Sequence, residues 1–169
     1  MNKQILKSTL IAAAGLLFAN SAMAAGTDTA TFQVTATVAD SCLVSATDLN
    51  FGAYNSVAAT ALDGTSTITV TCTAQTAYTI GLDAGLQFSG ATGTTRAMIG
   101  NDTAATLLNY ELYTETGRTN VWGDIGGTTV AQSDLTGGPL DYTVYGQIPA
   151  SQYVPAANYA DTINVTVAY

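Results

Sequence analysis

Residues 31–38 run Thr31-Phe32-Gln33-Val34-Thr35-Ala36-Thr37-Val38. Phe32, Val34, Ala36 and Val38 alternate with Gln33, Thr35 and Thr37. Successive side chains of a strand point to opposite faces, so this segment carries one apolar face and one polar face. The same rule recurs along the chain. Ile68, Val70 and Cys72 alternate with Thr67, Thr69 and Thr71; Tyr78, Ile80 and Leu82 obey it. So do Leu108, Tyr110 and Leu112, then Tyr142, Val144, Gly146 and Ile148, and last Ile163, Val165, Val167 and Tyr169. Apolar residues at helical spacing are absent after Ala25. Threonine, which favours a pleated surface, supplies 28 residues from Ala25 onward. Turn signals separate the runs: Asp63-Gly64, Gly85, Gly90, Gly93, Gly100-Asn101-Asp102, Gly117, Gly126-Gly127 and Gly137-Gly138-Pro139. One-face-apolar strands between glycine turns predict an all-β antiparallel sandwich or barrel. The polar, glycine-rich stretch from Thr114 to Pro139 reads as a long connection carrying Trp122. No shift in composition marks a second domain within the β-rich part.

Upstream of these strands the pattern changes. Lys3 and Lys7 precede a short apolar run from Thr9 to Phe18, and Ala22-Met23-Ala24 has small residues where a signal peptidase needs them. The run is too short for a bilayer core of ~30 Å. Residues 1–24 therefore read as a cleaved secretory signal peptide, and the remainder as exported. Two cysteines remain, Cys42 and Cys72. An even count in an exported chain predicts one disulfide. The spacing excludes a redox CxxC pair, and two thiols are too few for a metal site. Cys72 shares the parity of Val70 and Cys42 that of Val44, so both sulfurs point inward.

Charge narrows the function. Charged residues make up 9% of the chain, with 12 acidic and 4 basic residues and no histidine. Both lysines lie in the leader, so from Ala25 onward two arginines face twelve carboxylates. Such a chain has no basic stripe for nucleic acid and no polybasic attraction to anionic lipid. Serine or cysteine catalysis through histidine is excluded, as are histidine metal sites and Schiff-base chemistry after Ala25. Glu111 and Glu115 share parity, but four residues at ~3.4 Å set them ~13 Å apart, long for a glycosidase pair. They read as solvated charges on an exposed face. Asp124 with Gly126-Gly127, and Asn101-Asp102, read as turns rather than calcium loops. Tyr113, Trp122, Tyr145 and Tyr153 read as packing or cross-strand aromatics rather than a sugar platform. The expectation is a protein that is not an enzyme and uses no cofactor and no metal.

Two features do not fit a self-contained sandwich. The first alternating segment is set off by the short polar break Ala39-Asp40-Ser41, which would let it swing away. The last one ends on the inward-parity Tyr169 with no tail. A strand free to leave its own sheet can complete another.

In order along the chain come Thr31 to Val38, Cys42-Leu43-Val44 and Leu49-Asn50-Phe51-Gly52-Ala53-Tyr54. Val70-Thr71-Cys72, Tyr78-Thr79-Ile80-Gly81-Leu82, Arg96-Ala97-Met98 and Leu108 to Tyr113 follow. Trp122-Gly123, Tyr142 to Pro149, and Asn158-Tyr159-Ala160-Asp161 running into Val165 to Tyr169 complete the set. Together these pieces resemble the spore coat protein U domain family, which includes the pilins of archaic, Csu-type chaperone–usher pili. Asn158 departs from the family's usual glycine, but asparagine tolerates a positive φ, so a turn there survives.

The resemblance implies an incomplete immunoglobulin-like antiparallel β-sandwich completed by a donor strand. Residues 25–40 would be the donor strand and hinge, and 41–169 the pilin domain. Phe32, Val34, Ala36 and Val38 would be the donor positions. Ile163, Val165, Val167 and Tyr169 would line the acceptor and chaperone-contact strand, and Cys42–Cys72 would be the disulfide. The implied partners are identical or related pilin subunits, a periplasmic chaperone and an outer-membrane usher. The implied function is a shaft subunit of an adhesive surface pilus, passing through the periplasm and supporting attachment and biofilm formation. The alternative is a monomeric secreted β-sandwich that binds a ligand or serves as a coat protein.

Overall fold

The computed structural model describes residues 25–87, 96–124, 128–133 and 136–169. The signal peptide expected over residues 1–24, and the turns expected at Gly90, Gly93 and Gly126-Gly127, lie outside the described residues. The chain divides into two units, Met1–Ala36 and Thr37–Tyr169. In the first, residues 25–36 carry no strand, and Phe32 and Val34 are 89% and 83% exposed.

The second unit is the sandwich. Its strands are β1 (Cys42–Ala46), β2 (Leu62–Cys72), β3 (Ala77–Leu82), β4 (Arg96–Gly100) and β5 (Leu107–Tyr113). β6 (Val130–Ser133), β7 (Pro139–Ile148), β8 (Tyr159–Ala160) and β9 (Val165–Ala168) follow. Every pairing is antiparallel. One sheet has six strands in the order β1-β2-β7-β5-β4-β8, and the other three in the order β6-β3-β9. Among the described residues there is no helix, and so none long and apolar enough to cross a membrane. This is the all-β antiparallel sandwich expected from the alternation, in the immunoglobulin-like form that the resemblance implied.

The inward parity builds the core. Ile68 and Val70 of β2, Ile80 and Leu82 of β3, and Ile148 of β7 are at most 1% exposed. Trp122 lies among them, also 1% exposed, and its indole N–H donates to the Ile80 carbonyl at 3.0 Å. Cys42 and Cys72 stand opposite each other in the β1–β2 register and are bridged. The crosslink closes a 30-residue separation, worth roughly 3–4 kcal/mol in the chain-entropy model.

Three expectations need correction. Asp63-Gly64 is no turn; it lies inside β2, paired with Gln147 and Gly146 of β7. The glycines are there for packing. A Cβ on Gly64 would sit 3.0 Å from both Leu49 and Phe51, and one on Gly146 would sit 2.8 Å from each. The 49–51 segment thus crosses the sheet at a paired glycine notch. The stretch from Thr114 to Pro139 is not wholly a connection: it contains β6, and Val121 bridges back to Tyr113. Ile163 lies ahead of β9 rather than in it. The alternation also passed over β4, β6 and β8, which are short or covered on both faces.

Candidate functional site: an open cleft between two sheet edges

The two sheets do not close on one another along one side. β1 ends the six-stranded sheet and β9 ends the three-stranded sheet, so each leaves a row of backbone N–H and C=O groups without a strand partner. Cα atoms of the two edges approach within 8 Å. Exposure shows that the cover is missing. Val44 of β1 faces the wholly buried Val70 in register, yet is itself 44% exposed.

A cleft of about 1210 Å³ is lined chiefly by residues 46–56 and 154–165, and it reaches β1 at Ala46 and β9 at Val165. Ala46, Leu49, Phe51, Ile163 and Val165 are among its lining residues. Its floor is the core itself, including Ile68, Leu82, Leu112 and Val144. The aliphatic floor of this cavity is suited to a row of alternating apolar groups, and the open sheet edges to backbone hydrogen bonds. Polar groups also line it, among them Asp48, Asp161, Tyr110 and Tyr159. Among the described residues no three of histidine, cysteine, aspartate and glutamate are grouped to hold a metal ion.

The named acceptor residues divide. Ile163 and Val165 line the cleft. Val167, opposite Ile80 in the β3–β9 register, packs on the core. Tyr169 lies past the end of β9, 62% exposed, in a shallow recess with Ala77, Thr79 and Gln132. Of the donor positions, Ala36 is exposed, as are Phe32 and Val34, and Val38, in the second unit, is 80% exposed.

The other candidates have structural partners. Glu111 is no solvated charge: its carboxylate accepts from the Arg96 guanidinium at 2.8 Å and its side chain is 15% exposed. Burial raises its pKa above the ordinary glutamate value, and the Arg96 charge offsets only part of that. Arg96 is wholly buried and also donates to the carbonyls of Leu82, Asp83 and Trp122. It is the residue that sequence reasoning underrated. A lone arginine among apolar neighbours has no periodic signature, and only its partners explain it.

Glu115 lies beyond β5 in a turn, where it accepts from Thr119 and Asn120. Asp102 caps the β4–β5 turn by accepting from Thr106 and Ala104, and the Thr106 hydroxyl holds its pKa down. Asn101 accepts from the Asn158 amide. Tyr113 and Tyr145 form a cross-strand pair, Trp122 is core, and Tyr153 is 78% exposed, so the four aromatics make no common platform. Tyr110 donates to Asp161 at 2.8 Å at the cleft margin, and burial together with that carboxylate raises its pKa.

An antiparallel immunoglobulin-like sandwich with a partly apolar cleft that reaches two edge strands defines the class: a β-sandwich with an open flank. The chain belongs to the spore coat protein U domain family, whose pattern matches residues 28–166. It is 34% identical to Protein U of Myxococcus xanthus over 172 residues, covering 94% of each chain. It also resembles a chain in the crystal structure of the CsuC–CsuE chaperone–tip adhesion subunit pre-assembly complex from the archaic chaperone–usher Csu pili of Acinetobacter baumannii. There the TM-score is 0.58 and the identity 25%, over 79% of this chain and 41% of the other. The present chain therefore spans well under half the length of that solved chain.

Proposed function

We propose that the protein is a structural subunit of a chaperone–usher surface pilus, assembled by donor-strand exchange. The observation that carries this reading is the cleft with an apolar floor that reaches the edge strands β1 and β9. In the assembled fibre, Phe32, Val34, Ala36 and Val38 of one subunit fill the cleft of the next. Its free edges then receive backbone hydrogen bonds at ~1 kcal/mol net each. Before assembly a periplasmic chaperone covers the same cleft beside Ile163 and Val165, and an outer-membrane usher exchanges it for the next subunit. The likeness to a chain of the Csu chaperone–subunit complex supports the chaperone step. The finished fibre serves attachment and biofilm formation at the cell surface. It performs no catalysis and needs no cofactor. Residues 1–24 direct export, residues 25–40 are donor strand and hinge, and residues 41–169 are the acceptor domain.

The test is to express the chain with its chaperone and usher, with and without residues 28–38. Surface material is then run on a denaturing gel before and after boiling. Unboiled ladders of multimers that vanish on deleting the segment are expected. A full-length chain that stays monomeric under these conditions would overturn the reading and favour the monomeric secreted or coat protein.

A further inference from the structure

The reading above leaves a physical problem. A segment that fills a neighbour's cleft also fits its own. A chain that folded back on itself would satisfy its own open edge and leave the assembly line. With only Ala39-Asp40-Ser41 between Val38 and Cys42, folding back along the free edge of β1 makes a three-residue hairpin loop. Such loops need a residue in the left-handed region. Among the described residues, those with positive φ are Gln75, Ala105, Arg118 and Ser151 and three glycines, none of them between Thr37 and Ser41.

The break is tied to the sandwich by hydrogen bonds. Ser41 continues the β1–β2 ladder beyond the disulfide. The Thr73 amide donates to the Ser41 carbonyl at 2.8 Å, and the Ser41 amide donates to the Thr73 hydroxyl oxygen at 3.1 Å. That hydroxyl in turn lies 3.3 Å from the carbonyls of both Ala39 and Ser41. The Thr76 hydroxyl donates to the Asp40 carboxylate at 3.1 Å, and Thr76 is 4% exposed. Thr73 and Thr76 are themselves joined through the Thr76 amide and the Thr73 carbonyl at 3.1 Å. The turn after β2 therefore holds all three residues of the break by hydrogen bonds.

We propose that Thr73, Thr76 and Asp40 form an exit clamp that keeps the N-terminal segment out of its own cleft and so reserves it for a second copy of the chain. This rests on the donor-strand reading. The clamp acts through effective concentration. A short flexible tether would present the segment to its own cleft at millimolar effective concentration, whereas a tether that cannot bend to the site presents it at almost none. Thr73, Thr76 and Asp40 are thus positioning residues, acting on the segment through the hinge.

The experiment uses the full mature chain at sub-micromolar concentration and a fluorescein-labelled synthetic peptide of residues 28–38, read by anisotropy. The wild type is compared with Thr73→Val/Thr76→Val and with Asp40→Gly, the latter altering only an exposed hinge residue. Trp122 fluorescence confirms folding of each. The wild type is expected to capture peptide. Both variants are expected to capture on the order of a hundredfold less at micromolar peptide, and their own residues 31–38 should gain hydrogen-exchange protection. Variants that capture peptide as well as the wild type, with residues 31–38 unprotected, overturn the clamp and leave the assembly reading standing. A wild type that neither captures peptide nor forms multimers overturns the assembly reading and the clamp with it.

Discussion

Replacing Val34 by aspartate separates a strand used between chains from one used within its own. Val34 is 83% exposed in its own chain. Placing a charge there should change the stability of the isolated subunit by no more than about 0.5 kcal/mol. In a neighbour's cleft the same change removes a buried valine, worth ~1.5–3 kcal/mol. It also brings in a carboxylate that must be desolvated or protonated, at a cost of several kcal/mol. A combined loss of roughly 4 kcal/mol or more weakens the link about a thousandfold. Thr35→Asp puts the same charge on the opposite face and should cost ~1 kcal/mol at most. Urea unfolding followed by Trp122 fluorescence reads subunit stability, and an unboiled denaturing gel of surface material reads the fibre. The expected result for Val34→Asp is an unchanged unfolding midpoint, retained chaperone complex and no multimers, while Thr35→Asp assembles. A Val34→Asp subunit that unfolds several kcal/mol more easily would refute the reasoning, because it would place the strand in its own sheet.

Other outcomes follow from the sandwich itself. Arg96→Met should lower stability by ~3–5 kcal/mol, since it leaves the half-buried Glu111 and three carbonyls without their donor; the same urea titration measures it. Gly146→Val should cost ~1–3 kcal/mol and shift the 49–51 wall of the cleft, because its Cβ would stand 2.8 Å from Leu49 and Phe51. Amide exchange at residues 49–52 would report the shift. Glu111 sets a pH dependence. Its folded pKa lies above the ordinary value of 4.5, so in the window from 4.5 upward the folded chain holds a proton that the unfolded chain releases. Its contribution therefore falls as pH rises through that window. Relative to Glu111→Gln, the wild type should gain stability on acidification from pH 7 towards 4.5, and a flat difference would contradict the assignment.

Alternation alone determined the strand class and the inward positions of Ile68, Val70, Ile80, Leu82 and Val144, because a period of two has only one way to bury an apolar face. The even cysteine count and the inward parity of Cys42 and Cys72 led to their bridge in the same manner. Periodicity says nothing about which chain supplies a strand's partner. The segment 31–38 and β2 have the same pattern, yet β2 pairs on both edges and residues 31–38 carry no strand. The tertiary structure decided that the seam between β1 and β9 stays open. An edge is a property of where strands end up in a sheet, and no local pattern records it. It likewise decided that Asp63-Gly64 sits within a strand, because the reason for that glycine is Leu49 and Phe51 crossing above it. The tie between Arg96 and Glu111, and the grip of Thr73 and Thr76 on the hinge, join residues distant in sequence. Neighbours in space contribute these interactions, and only the folded chain makes them neighbours.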